Sequence, residues 1–275
     1  METPPIITSL SNPLVRLARS LRQRKARTAS GLFLVEGLHH VGAALEAAWD
    51  IDALLYAPDL LTGEFAASLL DEADRVGVTL KPVSAKVMES LAAKENPQGI
   101  LALVRQRNLQ FDELQDFHCG VALVAPQDPG NVGTILRTID AVDADALFLL
   151  DGGVDLYHPT LVRASMGTLF WKPVVRASFD EFLAWSKSQS KQTLIGTSSS
   201  AAQDYRDVHF LHPAALNLTK VDGNSWVLLL GSEQKGLSPE QLSACDLKVS
   251  IPMRGRVSSL NLSVAAGVLL YEYLA

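Results

Sequence analysis

Five short strand-like runs, three of them almost wholly apolar, dominate the second half of this chain: "VALVA" (121–125), "ALFLL" (146–150), "TLIGT" (193–197), "WVLLLG" (226–231) and "LKVSI" (247–251). A strand with one wet face alternates apolar and polar side chains, so runs without alternation need cover on both faces. Amphipathic stretches lie between them, predicting helices over 131–143, 158–169, 178–188, 238–244 and 260–274. Strands joined in this way by helices give a parallel sheet wrapped on both sides. The first half repeats the pattern on a smaller scale. Strands are predicted at "LFLVE" (32–36), "ALLY" (53–56), "VTLKPV" (78–83) and "ILALVR" (100–105), with helices over 37–48, 63–76 and 84–93. The expected class is α/β.

With 275 residues, 48% of them hydrophobic, the chain has material for two ordinary domains. The polar stretch "QRNLQFDELQDFHCG" (106–120) lacks periodicity and reads as the linker. The expected boundaries are a basic extension over 1–31, a small α/β domain over 32–105, the linker over 106–120 and a larger domain over 121–275. "SKSQSKQ" and "TSSSAAQ" read as surface loops. Cys119 and Cys245 stand far apart with no C-x-x-C spacing, so neither a disulfide framework nor a structural zinc site is expected, and a cytoplasmic setting fits. The start "METPPIITSLSNPL" has no charged opening followed by an apolar run, and no apolar stretch reaches the ~18 residues of a membrane span. The histidines at 39, 40, 118, 158, 209 and 212 show no metal-ligand spacing, and no metal is expected.

The formal net charge is −6, which by itself disfavours a nucleic-acid partner. The charge is unevenly spread, however. Arg16, Arg19, Arg22, Arg24, Lys25 and Arg27 crowd into twelve residues, and no acid occurs between Thr3 and Val35. A local basic patch on an acidic body suits contact with phosphates, with Arg22, Arg24 and Lys25 as candidates; a solvated helix face would read the same.

Ligands of parallel sheets sit beyond the C-terminal strand ends. After "VALVA" comes "PQDPGNVGTILRTIDA", in which Asn131 is expected to cap the helix carrying Arg137. After "WVLLL" comes "GSEQKGLSPEQL", with Glu233 at the sheet edge, glycines at 231 and 236, and "SPEQ" as a helix start. After "LKVSI" comes a polar loop holding Arg254, Arg256, Ser258, Ser259 and Asn261. Each loop alone suits an ordinary strand-to-helix turn; together they converge polar groups at one edge. G-x-G-x-x-G, G-x-x-x-x-G-K-[ST] and G-x-S-x-G motifs are absent.

"NVGTILRT" (131–138), "LLLGSEQKGLS" (229–238) and "IPMRGRVSSLNLSVAAGVLLYE" (251–272) resemble, in order, the three signature motifs of the SpoU (TrmH) family of RNA 2′-O-methyltransferases. "FLVEGLHHVGAAL" and "NPQGILALV" are similar to the substrate-binding domain that precedes the catalytic one in many members. The resemblance implies a SPOUT-type C-terminal domain with a trefoil knot, a rare exception to unthreaded chains, behind a smaller RNA-binding domain. It implies S-adenosylmethionine as cofactor, held by Leu230, Gly231, Ile251, Met253, Ser259 and Leu260, and a homodimer with the site near the subunit interface.

The resemblance further implies methyl transfer to a ribose 2′-hydroxyl of RNA, ribosomal RNA before transfer RNA because of the N-terminal domain. It places Arg137, Asn131, Glu233, Ser259 and Asn261 at the catalytic site and Arg254 on a phosphate of the target. A guanidinium is a poor base, so Arg137 is expected first as an electrostatic clamp. Asn131 and Glu233 are expected to fix Arg137 or its surrounding loops, and Ser259 and Asn261 to bond the ribose or hold the knot. Gln234 stands where many relatives carry glycine, which puts the loop conformation in question. A catalytically silent RNA-binding protein of the same fold is the alternative from another class.

Overall fold

The computed structural model describes residues 5–92, 97–189, 191–208 and 225–274. In chain order the elements begin α1 (Pro13–Ser20), α2 (Arg24–Ser30), β1 (Leu32–Glu36), α3 (Leu38–Glu46), β2 (Ile51–Tyr56), α4 (Glu64–Arg75), β3 (Leu80–Pro82), α5 (Ala85–Leu91) and β4 (Ile100–Arg105). They continue with β5 (Cys119–Val124), α6 (Pro129–Ala141), β6 (Ala146–Leu150), α7 (Pro159–Ala164), β7 (Val174–Ala177) and α8 (Phe179–Ser188). The last are β8 (Gln192–Thr197), β9 (Gln203–Asp204), β10 (Ser225–Leu230), α9 (Pro239–Ser243), β11 (Leu247–Ser250) and α10 (Leu262–Leu274).

Two compact units result, one of Met1–Arg107 with Leu156–Trp171, the other of Asn108–Asp155 with Lys172–Ala275. These limits differ from the sequence-based ones in three places. The segment expected as a linker, 106–120, falls in the larger unit from Asn108 onward, because Phe111 and Phe117 pack in that unit's aromatic core and Cys119 already begins β5. The described part of the extension expected over 1–31 is not free: α1 is amphipathic, and Val15, Ala18 and the following Leu21 enter the core beneath β1, β2 and β4. Segment 156–171 leaves the larger unit and joins the smaller one. Its Tyr157 ring lies 4.5 Å from that of Phe33, and Phe170 meets Trp49 edge-on at 5.3 Å while its carbonyl accepts the Trp49 indole N–H at 2.8 Å. Aromatic burial of this kind, ~0.5–1.5 kcal/mol per ring pair beyond the area term, ties the segment there.

The smaller unit has a four-stranded sheet ordered β1-β4-β2-β3, antiparallel except for the β2/β3 pair. The larger unit has seven strands ordered β7-β6-β5-β10-β8-β11-β9, every pair parallel. Every residue of β5, β6 and β10 is buried, as unbroken apolar runs require. On one face Phe148, Phe182, Phe111, Phe117 and Trp185 stack into a single cluster. The C-terminal ends of β5, β8, β10 and β11 lie side by side, and the site is built there.

Candidate active site of the larger unit

A cleft of about 650 Å³ opens beyond these strand ends. Leu230, Gly231, Ile251, Met253, Ser259 and Leu260, the six residues that the resemblance assigns to the cofactor, all line it. Gly231 is required by close backbone crossing: a Cβ there would stand 2.0 Å from the Gly236 carbonyl carbon and 2.2 Å from Leu237 N. The loop closes through Gly236 N–H donating to Ser232 O at 2.9 Å, with Gly236 at φ 66°. The left-handed position therefore falls on Gly236. Gln234 is not among the residues of positive φ, so a side chain there strains nothing.

Thr197, Ser198 and Ser199 also line the cleft. The sequence reading made "TSSS" a surface loop, although it follows β8 as the other three loops follow their strands. The strand-end rule would have found it. Thr197 Oγ1 donates to Leu229 O at 3.1 Å, pinning that wall to β10.

Beside the cleft, three predicted residues form one hydrogen-bonded chain. Glu233 accepts from Gln127 N at 3.2 Å through Oε2, and from Asp128 N and Asn131 Nδ2, both at 3.3 Å, through Oε1. Asn131 Oδ1 accepts from Asn261 Nδ2 at 3.0 Å. Asn261 Oδ1 accepts from Ser263 N at 2.9 Å and Ser263 Oγ at 2.7 Å, which caps α10. Asn131 is not the cap of α6. Asp128 is, accepting from Asn131 N at 2.8 Å, because Pro129 presets the first helical φ and moves the helix start two residues earlier. Likewise α10 starts at Leu262 rather than at 260, since Asn261 closes the turn before it.

Arg137 is exposed on α6 and does not line the cleft. No hydrogen bond or ion pair engages its guanidinium among the described residues. Glu233 and Asn131 therefore hold the N-terminus of α6, not Arg137. Ser259, exposed at the cleft rim, likewise keeps a hydroxyl without a partner among the described residues. Arg254 is exposed and its field bears on Asp204, whose carboxyl is held down at about 2 chiefly by a bidentate bond from Arg206, at 2.9 and 2.6 Å.

In the smaller unit the basic run divides by use. Arg27 is buried, donating to Leu21 O at 2.7 Å and Arg22 O at 2.8 Å. Arg22 donates to the Leu91 carbonyl at 2.9 Å and to that of Ala92, closing the end of α5, and Arg19 reaches Ser90 Oγ at 3.1 Å. Arg16, Arg24 and Lys25 are left facing solvent. Among the described residues no group of three or more His, Cys, Asp or Glu side chains is placed to hold a metal; His209 and His212 lie outside the described residues. No described helix is long and apolar enough to cross a membrane.

The SpoU rRNA Methylase family matches residues 118–271, and the MRM3-like substrate binding domain matches residues 12–102. The chain is 33% identical over 274 residues to the 23S rRNA (uridine(2479)-2′-O)-methyltransferase of Streptomyces viridochromogenes, covering 97% of this chain and 90% of that one. It is 27% identical to the 23S rRNA (guanosine(2553)-2′-O)-methyltransferase of Bacillus subtilis, covering 97% and 98%. The AdoMet-bound rRNA methyltransferase of Sinorhizobium meliloti superposes with a TM-score of 0.84 at 32% identity, covering 98% and 97%. With the three motif loops gathered at one sheet edge and a family match over more than half its length, the chain belongs to the SpoU rRNA methylase family.

Proposed function

We propose that this protein is an S-adenosylmethionine-dependent methyltransferase acting on a ribose 2′-hydroxyl of ribosomal RNA. One observation carries the reading: the cleft holds all six expected cofactor residues and is flanked by the Glu233–Asn131–Asn261 chain of hydrogen bonds. The cleft suits the cofactor. Its volume lies within the ~300–1,000 Å³ of small-molecule sites. Leu230, Ile251, Met253 and Leu260 supply apolar wall, and Gly231 lets main chain approach closely. Bound there, S-adenosylmethionine supplies an electrophilic methyl on a sulfonium.

The chain's own part is positioning and charge. Glu233 has its oxygens engaged by Gln127 N, Asp128 N and Asn131 Nδ2, which makes it a positioning residue. Arg137 brings a planar fork of donors suited to a phosphate or a developing alkoxide. Ser259 and Asn261 stand at the rim where a ribose would enter. Arg254, Arg24 and Lys25, all exposed, add phosphate contacts that hold RNA without reading its sequence.

Two features support a homodimer. The helix α10 is apolar all round, leaving Val264 and Tyr271 about half exposed two turns apart, and Arg137 lies outside the cleft of its own chain. A second copy covers the first and supplies the second. Light scattering of the purified protein at micromolar concentration checks this; a monomer mass rejects it. The placement of β10 between β5 and β8, with α10 packed on α6, supports the trefoil threading, which an experimental trace of residues 251–262 tests. A cytoplasmic location is checked by cell fractionation.

The decisive assay mixes purified protein, labelled S-adenosylmethionine and protein-free ribosomal RNA, then maps the 2′-O-methyl. Label on a ribose is expected. Binding to RNA with no label at any ratio would leave a silent RNA-binding protein.

A further inference from the structure

The smaller unit contains a cavity of its own, about 570 Å³, which the methyl-transfer site does not use. We infer that it receives one unpaired nucleotide of the substrate RNA, the base between apolar walls and the neighbouring phosphate at Arg163.

Protein interiors are close-packed, so an open volume of this size against the core is kept for something. Its walls include Leu34, Leu91, Pro159, Val162 and Met166, an apolar lining that would exclude water from the faces of a base removed from its stack. Among the described residues its rim carries the guanidinium groups of Arg22 and Arg163, the rings of His39 and His40 and the carboxylate of Glu36. Two guanidinium groups against one carboxylate favour an anionic ligand over a cationic one. The Arg163 guanidinium is exposed and has no hydrogen bond or ion pair among the described residues. The exposed Arg16, Arg24 and Lys25 belong to the same unit and extend its basic character along the chain.

The walls are held rigidly. His39 Nε2 meets Met166 O at 2.9 Å and His40 Nε2 meets Arg163 O at 3.2 Å. A carbonyl only accepts, so each Nε2 carries the hydrogen, and His39 Nδ1 remains to bond a base or ribose. Met166 sits at φ 50°, a conformation that side chains rarely adopt and that is found at ligand clamps. These features arise only because segment 156–171 has left the large sheet to pack on α3, which gives that excursion a purpose.

The inference rests on RNA as substrate, and the test separates the two. Protein-free ribosomal RNA carrying 4-thiouridine is crosslinked to the full chain, and adducts are located by mass spectrometry. Nucleotide adducts on the peptides holding His39 or Met166 are expected. In parallel, the single variants Arg163→Glu and Met166→Glu, both at exposed positions, are measured for RNA affinity, S-adenosylmethionine affinity and melting temperature. Each is expected to lose RNA affinity about tenfold, Arg163→Glu by turning a phosphate contact into repulsion and Met166→Glu by placing a carboxylate in the apolar wall, with cofactor affinity and melting unchanged. Adducts found only elsewhere, together with unchanged RNA affinity in both variants, overturn the inference. If the wild type methylates RNA in that case, the enzymatic reading stands alone; if adducts fall in the cavity but no methyl is transferred, the cavity stands and the enzymatic reading falls.

Discussion

Asn261 donates through Nδ2 to Oδ1 of Asn131 at 3.0 Å, joining the start of α10 to the first turn of α6 across 130 positions of sequence. The same Asn261 caps α10 through Oδ1. Replacement by alanine removes both, and a cap of this type is worth ~0.5–2 kcal/mol. Asn261→Ala should melt earlier and lose activity. Asn261→Asp keeps the cap acceptor and removes the donor, so melting should largely recover while methyl transfer stays depressed. Equal recovery of both would reduce Asn261 to a cap.

Among the described residues the Arg137 side chain makes no hydrogen bond or ion pair, so Arg137→Ala should shift stability by less than ~0.5 kcal/mol. Cofactor affinity should hold while turnover falls by at least ~100-fold, the scale of losing one charge-stabilising donor. Titration calorimetry beside the methyl-transfer assay checks the split. A variant that loses cofactor binding in proportion to turnover contradicts the clamp role.

Gly231→Ala would place a methyl 2.0 Å from main chain, where no flexible side chain can yield. Loss of cofactor binding and destabilisation on the order of 2 kcal/mol or more are expected. Gln234→Gly tests the opposite case. No positive φ is needed there, so it should cost only the ~0.5–1 kcal/mol of added backbone freedom, or less in a loop, and leave turnover intact.

The basic run should separate under mutation. Arg24→Ala and Lys25→Ala leave melting unchanged and each lower the salt slope of RNA binding by ~1, as one lost phosphate contact does. Arg22→Ala also lowers stability by ~1 kcal/mol, because it strips hydrogen bonds from the end of α5. Thermal melts beside binding curves from 50 to 200 mM salt decide; identical behaviour of all three removes the distinction.

Both cysteines are buried, and burial drives their thiols up, Cys119 to about 12 and Cys245 to about 11. Only the thiolate is nucleophilic, so the folded protein should resist alkylation by iodoacetamide at pH 8 and react fully once unfolded. Rapid labelling of the native protein contradicts this.

The five runs predicted as strands in the larger unit are all parallel strands, and β5, β6 and β10, apolar nearly throughout, are covered on both faces because such a run has few other solutions. The cleft walls at Leu230, Gly231, Ile251, Met253, Ser259 and Leu260 were legible as well, because parallel strands deliver their following loops to one edge and the motifs mark those loops. Other features were not local. Pro129 and Asp128 moved the cap away from Asn131, and Thr197 to Ser199 look like any polar loop until β8 is seated between β10 and β11. Arg22, Arg24 and Lys25 are equivalent as charges in a row, and only the packing of α1 against α5 aims Arg22 at carbonyl oxygens. Segment 156–171 carries the same apolar pattern in either unit, and only contact with Phe33 and Trp49 assigns it to the smaller one. Sequence by itself determined which residues must be buried and which strand ends carry polar groups, since hydrophobic periodicity is a property of neighbours along the chain. Tertiary structure alone decided which partner each polar or aromatic side chain found, since that depends on distances between residues far apart in sequence.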